Sequence, residues 1–267
     1  MGARVTLVMV VFNQLPLTRA CLESLTTTPE PFALVVVDNG STDGTRDFFA
    51  RFRPPYPVRY DGDGAPGSVI AALNRGWRHA ETAHVCFLHN DTELRDPDWL
   101  AKLLAPLVAG RAALTGLYGV KRIRRDGRYV GRTIVHSLVP TPTVAVAGEE
   151  VAVVDGVCLC LSRRLLESVG GFDEGYGFFH GYDRDLSFAV REQGGTCHVV
   201  HAPFVHHGGG TRTEGFAADP ARVRADRAAR AAALQRFVAK WGHRLPCDVR
   251  AMRERVGAWV RAKGRGA

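Results

Sequence analysis

At 267 residues, 46% hydrophobic and 23% charged, the chain has the composition of a soluble globular protein long enough to bury a substantial core. Its longest apolar run, Val5 to Phe12, is far shorter than the ~20 residues of a membrane span, and it lacks the cleavage pattern of a secretory signal. The net charge of +8 is uneven: from Asp219 onward 13 Lys/Arg face 4 Asp/Glu, against 22 and 23 in the first 218 residues, so the basicity belongs to the tail.

The predicted elements begin with "RVTLVMVVF" (4–12), a continuous apolar run read as a buried strand, followed by a helix over 15–25 with Pro16 near its first turn. Met1-Gly2 with Thr6 formally matches a myristoylation signal, but Thr6 falls inside that first strand. "FALVVVD" (32–38) is a second strand, and "NGSTDGT" supplies turn residues and caps for a helix over 44–52. A weak strand near 57–60, a helix over 68–80 and a strand over 83–88 follow. Asp96-Pro97-Asp98 reads as N-cap, N1 and acidic first turn of a helix reaching 109. Apolar strands alternating with helices imply a mostly parallel α/β sheet covered on both faces, with ligands beyond the carboxyl ends of the strands, where Asp38 and Asp91 stand.

After residue 111 the pattern changes. "YGVKRIRRDGRYVGRTIV" reads as a hairpin around Asp126-Gly127 carrying six Lys/Arg (121, 122, 124, 125, 128, 132). "VAVVDGVCLCLS" (151–162) reads as one strand, with Ser162 capping a short helix. Residues 183–193 read as a helix, and "GTCHVVHAPFVHH" as extended chain. The tail is expected to form two amphipathic helices, with stripes at Leu234, Phe237, Val238, Trp241 and at Val249, Met252, Val256, Trp259, Val260. The division expected is 1–218 as the main domain (1–115 and 116–218 as its halves) and 219–267 as a basic helical extension. Six cysteines without C-x-x-C spacing read as buried reduced thiols of a cytoplasmic protein.

Four stretches carry chemistry, and each has a plainer reading. Asp38 in "VVVDNGSTDGT" closes an Asx-type turn or accepts a hydrogen bond from a ligand facing a helix N-terminus. Asp91 in "FLHNDTEL" is a solvated strand exit or an oxygen ligand for a divalent cation. In "GFFHGYDRDL", Asp185 reads as a helix cap, whereas Asp183, preceded by Phe178, Phe179 and Tyr182, is a candidate general base. In "VHHGGGTR" the histidines are candidate metal ligands, and the glycines allow close approach to a phosphate.

In this order and spacing, "VVFN", "VVVDNGSTDGT", "NRG" (74–76), "LHNDTEL" with "DPDWL", "GGFDE", "YDRDL" and "VHHGGGT" resemble the family 2 glycosyltransferases of the GT-A fold, over about Val5 to Thr211. The resemblance implies a GT-A type, Rossmann-like sheet with a nucleotide-sugar-binding first half and an acceptor-binding second half. It implies that Asp38 and Asn39 contact the nucleotide base, with Asn13, Gly67, Asn74 and Asn90 around the donor. Asp91 then holds Mn²⁺ or Mg²⁺ on the donor diphosphate, with His206 beside it and the parts of His89 and His207 left open. Asp183 matches the base of inverting members, which transfer a sugar from a nucleotide-diphosphate sugar to an acceptor hydroxyl by direct displacement. Three positions depart from the pattern: His89 where many relatives have Asp, Tyr182 where Glu is common, and Leu73 where an Arg often faces the donor.

Two other functions compete. A sugar-phosphate nucleotidyltransferase has a similar fold, but its Gly-rich, Arg/Lys-bearing signature after the first strand is replaced here by "FNQLP". A module binding nucleic acid or an anionic surface through the basic tail is disfavoured by tail aromatics that lie on apolar stripes rather than as stacking platforms. The expectation is therefore a hexosyl- or deoxyhexosyl-transferring enzyme with a saccharide, lipid-linked, peptide or small-molecule acceptor and no nucleic-acid partner. Location is expected in the cytoplasm, with peripheral contact at the inner face of the membrane through the tail helices.

Overall fold

The computed structural model describes residues 2–62, 67–130, 148–208, 218–252 and 254. Three apolar runs, β1 (Val5–Val11), β2 (Phe32–Asp38) and β4 (His84–Leu88), set its centre, and with the half-exposed edge strand β3 (Val58–Asp61) they pair in parallel in the order β3-β2-β1-β4. Their side chains alternate between two core clusters. Leu7, Met9, Val36, Cys86 and Leu88 enter one; Val8, Val35, Val37, Val85 and Phe87 enter the other. Strands buried on both faces read as unbroken apolar runs, which is why they were visible in the sequence.

The connections are α1 (Leu15–Leu25), α2 (Thr45–Arg51) and α3 (Val69–Trp77). Pro16 sits in the first turn of α1, where a missing N–H costs no hydrogen bond. Ser68 caps α3 by accepting from the N–H groups of Ile70 (3.1 Å) and Ala71 (3.4 Å). α1 and α2 add Leu22, Leu25 and Phe49 to the first cluster, and α3 adds Ile70 and Leu73 to the second, so both faces are covered.

Beyond β4 lie the short β5 (Thr92–Leu94) and α4 (Trp99–Val108). The helix starts two residues later than its Asp-Pro-Asp signal implies: Asp96 closes a turn onto the Asp98 N–H (3.0 Å), leaving Asp98 at the cap position. The second half contributes β6 (Leu114–Gly116), β7 (Gly119–Val120), β8 (Arg122–Ile123), β9 (Gly148–Val151), β10 (Val153–Val154) and β11 (Cys158–Ser162). Then come α5 (Arg163–Ser168), α6 (Tyr182–Glu192), β12 (Cys197–Val200) and β13 (Phe204–His206). β11 inserts antiparallel between β4 and β6, β12 runs parallel to β6, and β9 closes an eight-stranded, mostly parallel sheet. The single strand expected over 151–162 is two: Asp155 turns the chain by accepting the Val157 N–H (3.0 Å), and β10 leaves the main sheet to pair with β7.

The tail begins with α7 (Pro220–Trp241), capped by Asp219 and packed on α6. Phe237 and Trp241 enter the second cluster, where Phe237 meets Phe188 edge-on at 4.9 Å. A last short strand, β14 (Cys247–Asp248), pairs with β8. The expected hairpin keeps its turn at Asp126-Gly127, with Gly127 in the left-handed region (φ 76), but its strands meet through one bridge, Ile123 to Tyr129. Arg132 lies outside the described residues, as do Val256, Trp259 and Val260 of the second tail stripe; Val249 of that stripe lies outside any helix. Among the described residues no helix is long and apolar enough to cross a membrane, and all six cysteines are free, five of them buried.

Candidate active site

At the end of β2 the buried Asp38 carboxylate closes an Asx turn, accepting from the N–H groups of Gly40 (3.1 Å) and Ser41 (2.7 Å), and its other oxygen takes the Tyr60 hydroxyl at 2.5 Å. Burial first, and then this bond to a carboxylate, raises the Tyr60 pKa and keeps it a phenol. Asn39 and Gly67 hold each other by two reciprocal hydrogen bonds (2.8 and 3.1 Å). Asn13, itself in the left-handed region at φ 54, ties the end of β1 to the next loop through Ser41 (2.8 Å) and Thr42 (2.7 Å). These expected donor residues thus form one braced rim around the β1 and β2 ends, a little apart from the main cleft.

That cleft, about 230 Å³, opens at the carboxyl end of β4 and is lined by Leu73, His89, Asn90, Asp91, Tyr182 and His206 among others. Asn90 is anchored by donating to the buried Thr18 hydroxyl at 2.9 Å. β13 pairs with β5, setting His206 opposite Thr92 and its imidazole Nε2 at 3.2 Å from Asp91 Oδ1. His89 Nδ1 lies 4.0 Å from the same oxygen, and ligand atoms of His89, Asp91 and His206 all lie within 4.8 Å of one another. His207 is not part of this group: its Nε2 is 2.6 Å from Glu93 Oε1.

The electrostatics suit a cation. Burial pulls the His89 pKa down to about 4 despite Asp91, so its imidazole is neutral and has a lone pair to give. His206 is shifted the other way: burial is the largest single influence and works against its charge, but the hydrogen bond to Asp91 together with the charges of Asp91 and Asp155 outweighs it and raises the pKa. The hydroxyl of Tyr182 meets His89 Nε2 at 3.0 Å and leaves Nδ1 facing Asp91. Gly156 allows this, since a Cβ there would stand 2.2 Å from the Tyr182 hydroxyl. Two imidazoles and a buried carboxylate converging on one point form a donor set that fits a divalent transition ion.

His89, Gly156, Tyr182 and His206 also wall a second cleft of about 320 Å³, which contains Asp155 and Asp183. Asp183 stands in the first turn of α6 and accepts the Arg184 N–H at 2.8 Å. Asp155, which the sequence reading passed over inside an apolar run, is pushed up to about 7, by burial first and then by the charge of Asp183. Its signal was a carboxylate followed by glycine in the middle of a predicted strand, a place where pairing has to break.

Two residues have partners that the sequence did not show. Asn74, expected at the donor, makes four hydrogen bonds, to Phe172 N–H and C=O, Glu174 and Trp77, which tie α3 to the 171–174 loop. Asp185 is no helix cap: it is buried and accepts from the Tyr176 hydroxyl (2.9 Å), Trp241 Nε1 (2.7 Å) and Lys240 (3.0 Å), anchoring α7.

Comparison with known proteins shows the family and the fold. A profile of glycosyl transferase family 2 matches residues 6–170, more than half of the chain. The chain belongs to that family. A curated relative, "Uncharacterized protein y4gI" of Sinorhizobium fredii, is 27% identical over 233 residues, 78% of this chain and 25% of its own, so the chain spans about a quarter of that relative's length. Among solved structures, GalNAc-T7 with UDP, GalNAc and Mn²⁺ superposes with a TM-score of 0.61 at 14% identity, covering 77% of this chain and 44% of that one. The mannosyltransferase PcManGT of Pyrobaculum calidifontis, in complex with GDP-Man and Mn²⁺, gives 0.59 at 19% identity over 91% and 70%. S. aureus TarS in complex with UDP-GlcNAc gives 0.55 at 18% over 75% and 56%. These superpositions establish that the family 2 chain has the GT-A fold.

Proposed function

We propose that the chain is a metal-dependent glycosyltransferase moving a hexosyl or deoxyhexosyl group from a nucleotide-diphosphate sugar to an acceptor hydroxyl. The observation carrying this reading is that His89, Asp91 and His206 converge at one end of a cleft whose continuation holds Asp183. Solved relatives of the same fold hold UDP, GDP-Man or UDP-GlcNAc, two of them with Mn²⁺, which supports a donor of that class. Asp91, His206 and His89 would hold the ion, and their nitrogen content favours Mn²⁺ over Mg²⁺. Asp38, Asn39, Asn13, Gly67 and Asn90 would form and brace the donor side.

When bound, the ion supplies positive charge for the departing diphosphate. Asp183 accepts the proton of the acceptor hydroxyl while that oxygen bonds to the anomeric carbon and the carbon–oxygen bond to the diphosphate breaks, inverting the centre. Asp155, pushed up to about 7 by burial and then by the charge of Asp183, retains a share of its proton near neutral pH, so a second full negative charge beside the base is avoided. Tyr182, whose pKa is raised by burial and by Asp183, stays a phenol and fixes the His89 ring. The acceptor is a saccharide, lipid-linked, peptide or small-molecule hydroxyl, and free thiols suit a cytoplasmic location.

The test is a thermal-shift series with UDP- and GDP-sugars, with and without Mn²⁺. A donor that binds only the folded state raises the Tm, and the Mn²⁺-dependent part of the rise should vanish in Asp91→Ala. An equal rise in that variant overturns the metal site.

A further inference from the structure

The groove between α7 and the Arg124–Arg128 turn has no part in the reaction described so far. It has a volume of about 610 Å³ and is lined by Arg128, Tyr129, Arg184, Arg227, Arg230 and Leu234 among others. Among the described residues Asp226 is the single carboxylate on its walls; it lies 2.7 Å from His180 Nε2 and 3.6 Å from Arg230, so its charge is already met. Arg184 is fixed at the groove floor, over the rings of Tyr129 (4.6 Å) and Phe237 (5.4 Å) and within 3.3 Å of the Gly127 carbonyl. The side chains of Arg128 and Arg227 have no ion pair or hydrogen bond among the described residues.

The position of these arginines on the helix separates a site from a solvated basic face. Val223, Arg227, Arg230 and Leu234 are spaced i, i+4, i+7 and i+11, on one face of α7. The same stripe continues into the buried Phe237 and Trp241. The inward face of the helix thus changes from apolar to guanidinium where it leaves the core, and there it meets Arg128 and Arg184 from other elements. Tyr129, Arg184, Arg230 and Leu234 also line the cleft of Asp155 and Asp183, so the groove opens into it. Guanidinium groups gathered in a concavity repel one another and focus a positive potential that an anion relieves. A phosphate, with its several oxygens and planar bidentate match to arginine, fits this arrangement best.

We propose that this groove binds a phosphate group carried by the acceptor, placed so that a nearby hydroxyl reaches Asp183. The inference rests on the glycosyltransferase reading and names its acceptor class as phosphorylated. The donor's diphosphate belongs to the other side of the cleft, at Asp91.

The test titrates phenyl phosphate and phenol into the intact protein by calorimetry in EDTA, which removes any contribution from a cation at Asp91. Phenyl phosphate should bind and phenol should not. R128Q/R227Q should weaken the binding about tenfold or more, while the charge-matched R53Q/R164Q, with both positions elsewhere on the surface, should not. No binding by the wild type, or equal weakening in both double variants, overturns the proposal. Co-sedimentation with phosphatidylglycerol vesicles against phosphatidylcholine vesicles then identifies the source. Binding to the former that is lost in R128Q/R227Q supports a lipid-borne phosphate; phenyl phosphate binding without vesicle binding supports a water-soluble acceptor. If phosphate binds as expected but no nucleotide-sugar stabilises the protein, the groove stands and the glycosyltransferase reading falls.

Discussion

Replacing Asp185 with alanine removes the acceptor that α7 is docked on. Tyr176 and Trp241, each 6% exposed, donate to it at 2.9 and 2.7 Å, and water has little access to either once the carboxylate is gone. A buried donor left without an acceptor costs about 1–3 kcal/mol. Lys240 adds little, because it keeps Asp173 at 3.0 Å. Deleting a buried carboxylate also returns part of its desolvation cost, so the net loss is about 3 kcal/mol. For a chain of this size that lowers the Tm by about 6–12 °C. The assay is thermal unfolding followed by circular dichroism, with Asp173→Ala as comparison; its partners Arg236 and Lys240 lie at the surface, and the loss there should stay within about 1 kcal/mol. A melting curve for Asp185→Ala within about 2 °C of the wild type, or an equal loss in Asp173→Ala, would falsify the view that this carboxylate holds the tail helix.

Asp183→Asn should lower kcat by about 10²–10⁴-fold with donor affinity unchanged in calorimetry; near-normal turnover refutes it as the base. Mn²⁺ binding requires an unprotonated His206, whose pKa lies above 6.5, so apparent affinity should fall about tenfold per pH unit below that raised value and level off above it, as read by calorimetry across pH. A pH-independent affinity would remove His206 from the ligand set. In the metal-free protein the sign is opposite: the Asp91–His206 pair stabilises the fold fully below pH 6.5, and this contribution fades as pH rises through the folded pKa, so the Tm gap between wild type and His206→Gln should narrow at alkaline pH. Asn74→Ala should cost about 2–3 kcal/mol, since buried groups of Phe172 lose their partners, with donor affinity unchanged; weaker donor binding at an unaltered Tm would restore its expected donor role.

What could be read in the sequence was set by local rules. The parallel strands announce themselves because both faces are buried, and Asp38 and Asp91 are conspicuous because a carboxylate ends each run. Asp183 was singled out by its aromatic neighbours and its place at the start of a helix. What remained hidden depends on contacts between distant segments. The family resemblance already implied His206 beside Asp91, but its physical cause, the pairing of β13 with β5, was not legible, nor was the ion pair of His207 with Glu93. Asp155 was masked by apolar residues on both sides, since a hydrophobic run does not show where it leaves a sheet. Asp185 was misread, and the structural bonds of Asn74 went unseen, because a polar residue on a helix has the same appearance whether it serves a ligand, a cap or a buried hydrogen-bond network. The partners that decide between these, Phe172 and Trp241, lie far along the chain.

The first turn of α6 has a consequence for how such an enzyme could diversify. Three of its side chains point three ways: Tyr182 to His89 at the metal cluster, Asp183 into the cleft, and Asp185 to Trp241 on α7. One turn of helix rises about 5.4 Å, so a rigid unit of that length fixes the spacing between the His89–Asp91–His206 cluster, Asp183 and the wall that α7 forms. That wall is attached to the gauge at its far end. Under the proposed function, an exchange of α7 and its arginines for another extension would therefore alter which acceptor is admitted while leaving the gauge, and the alignment of Asp183 with the cluster, undisturbed.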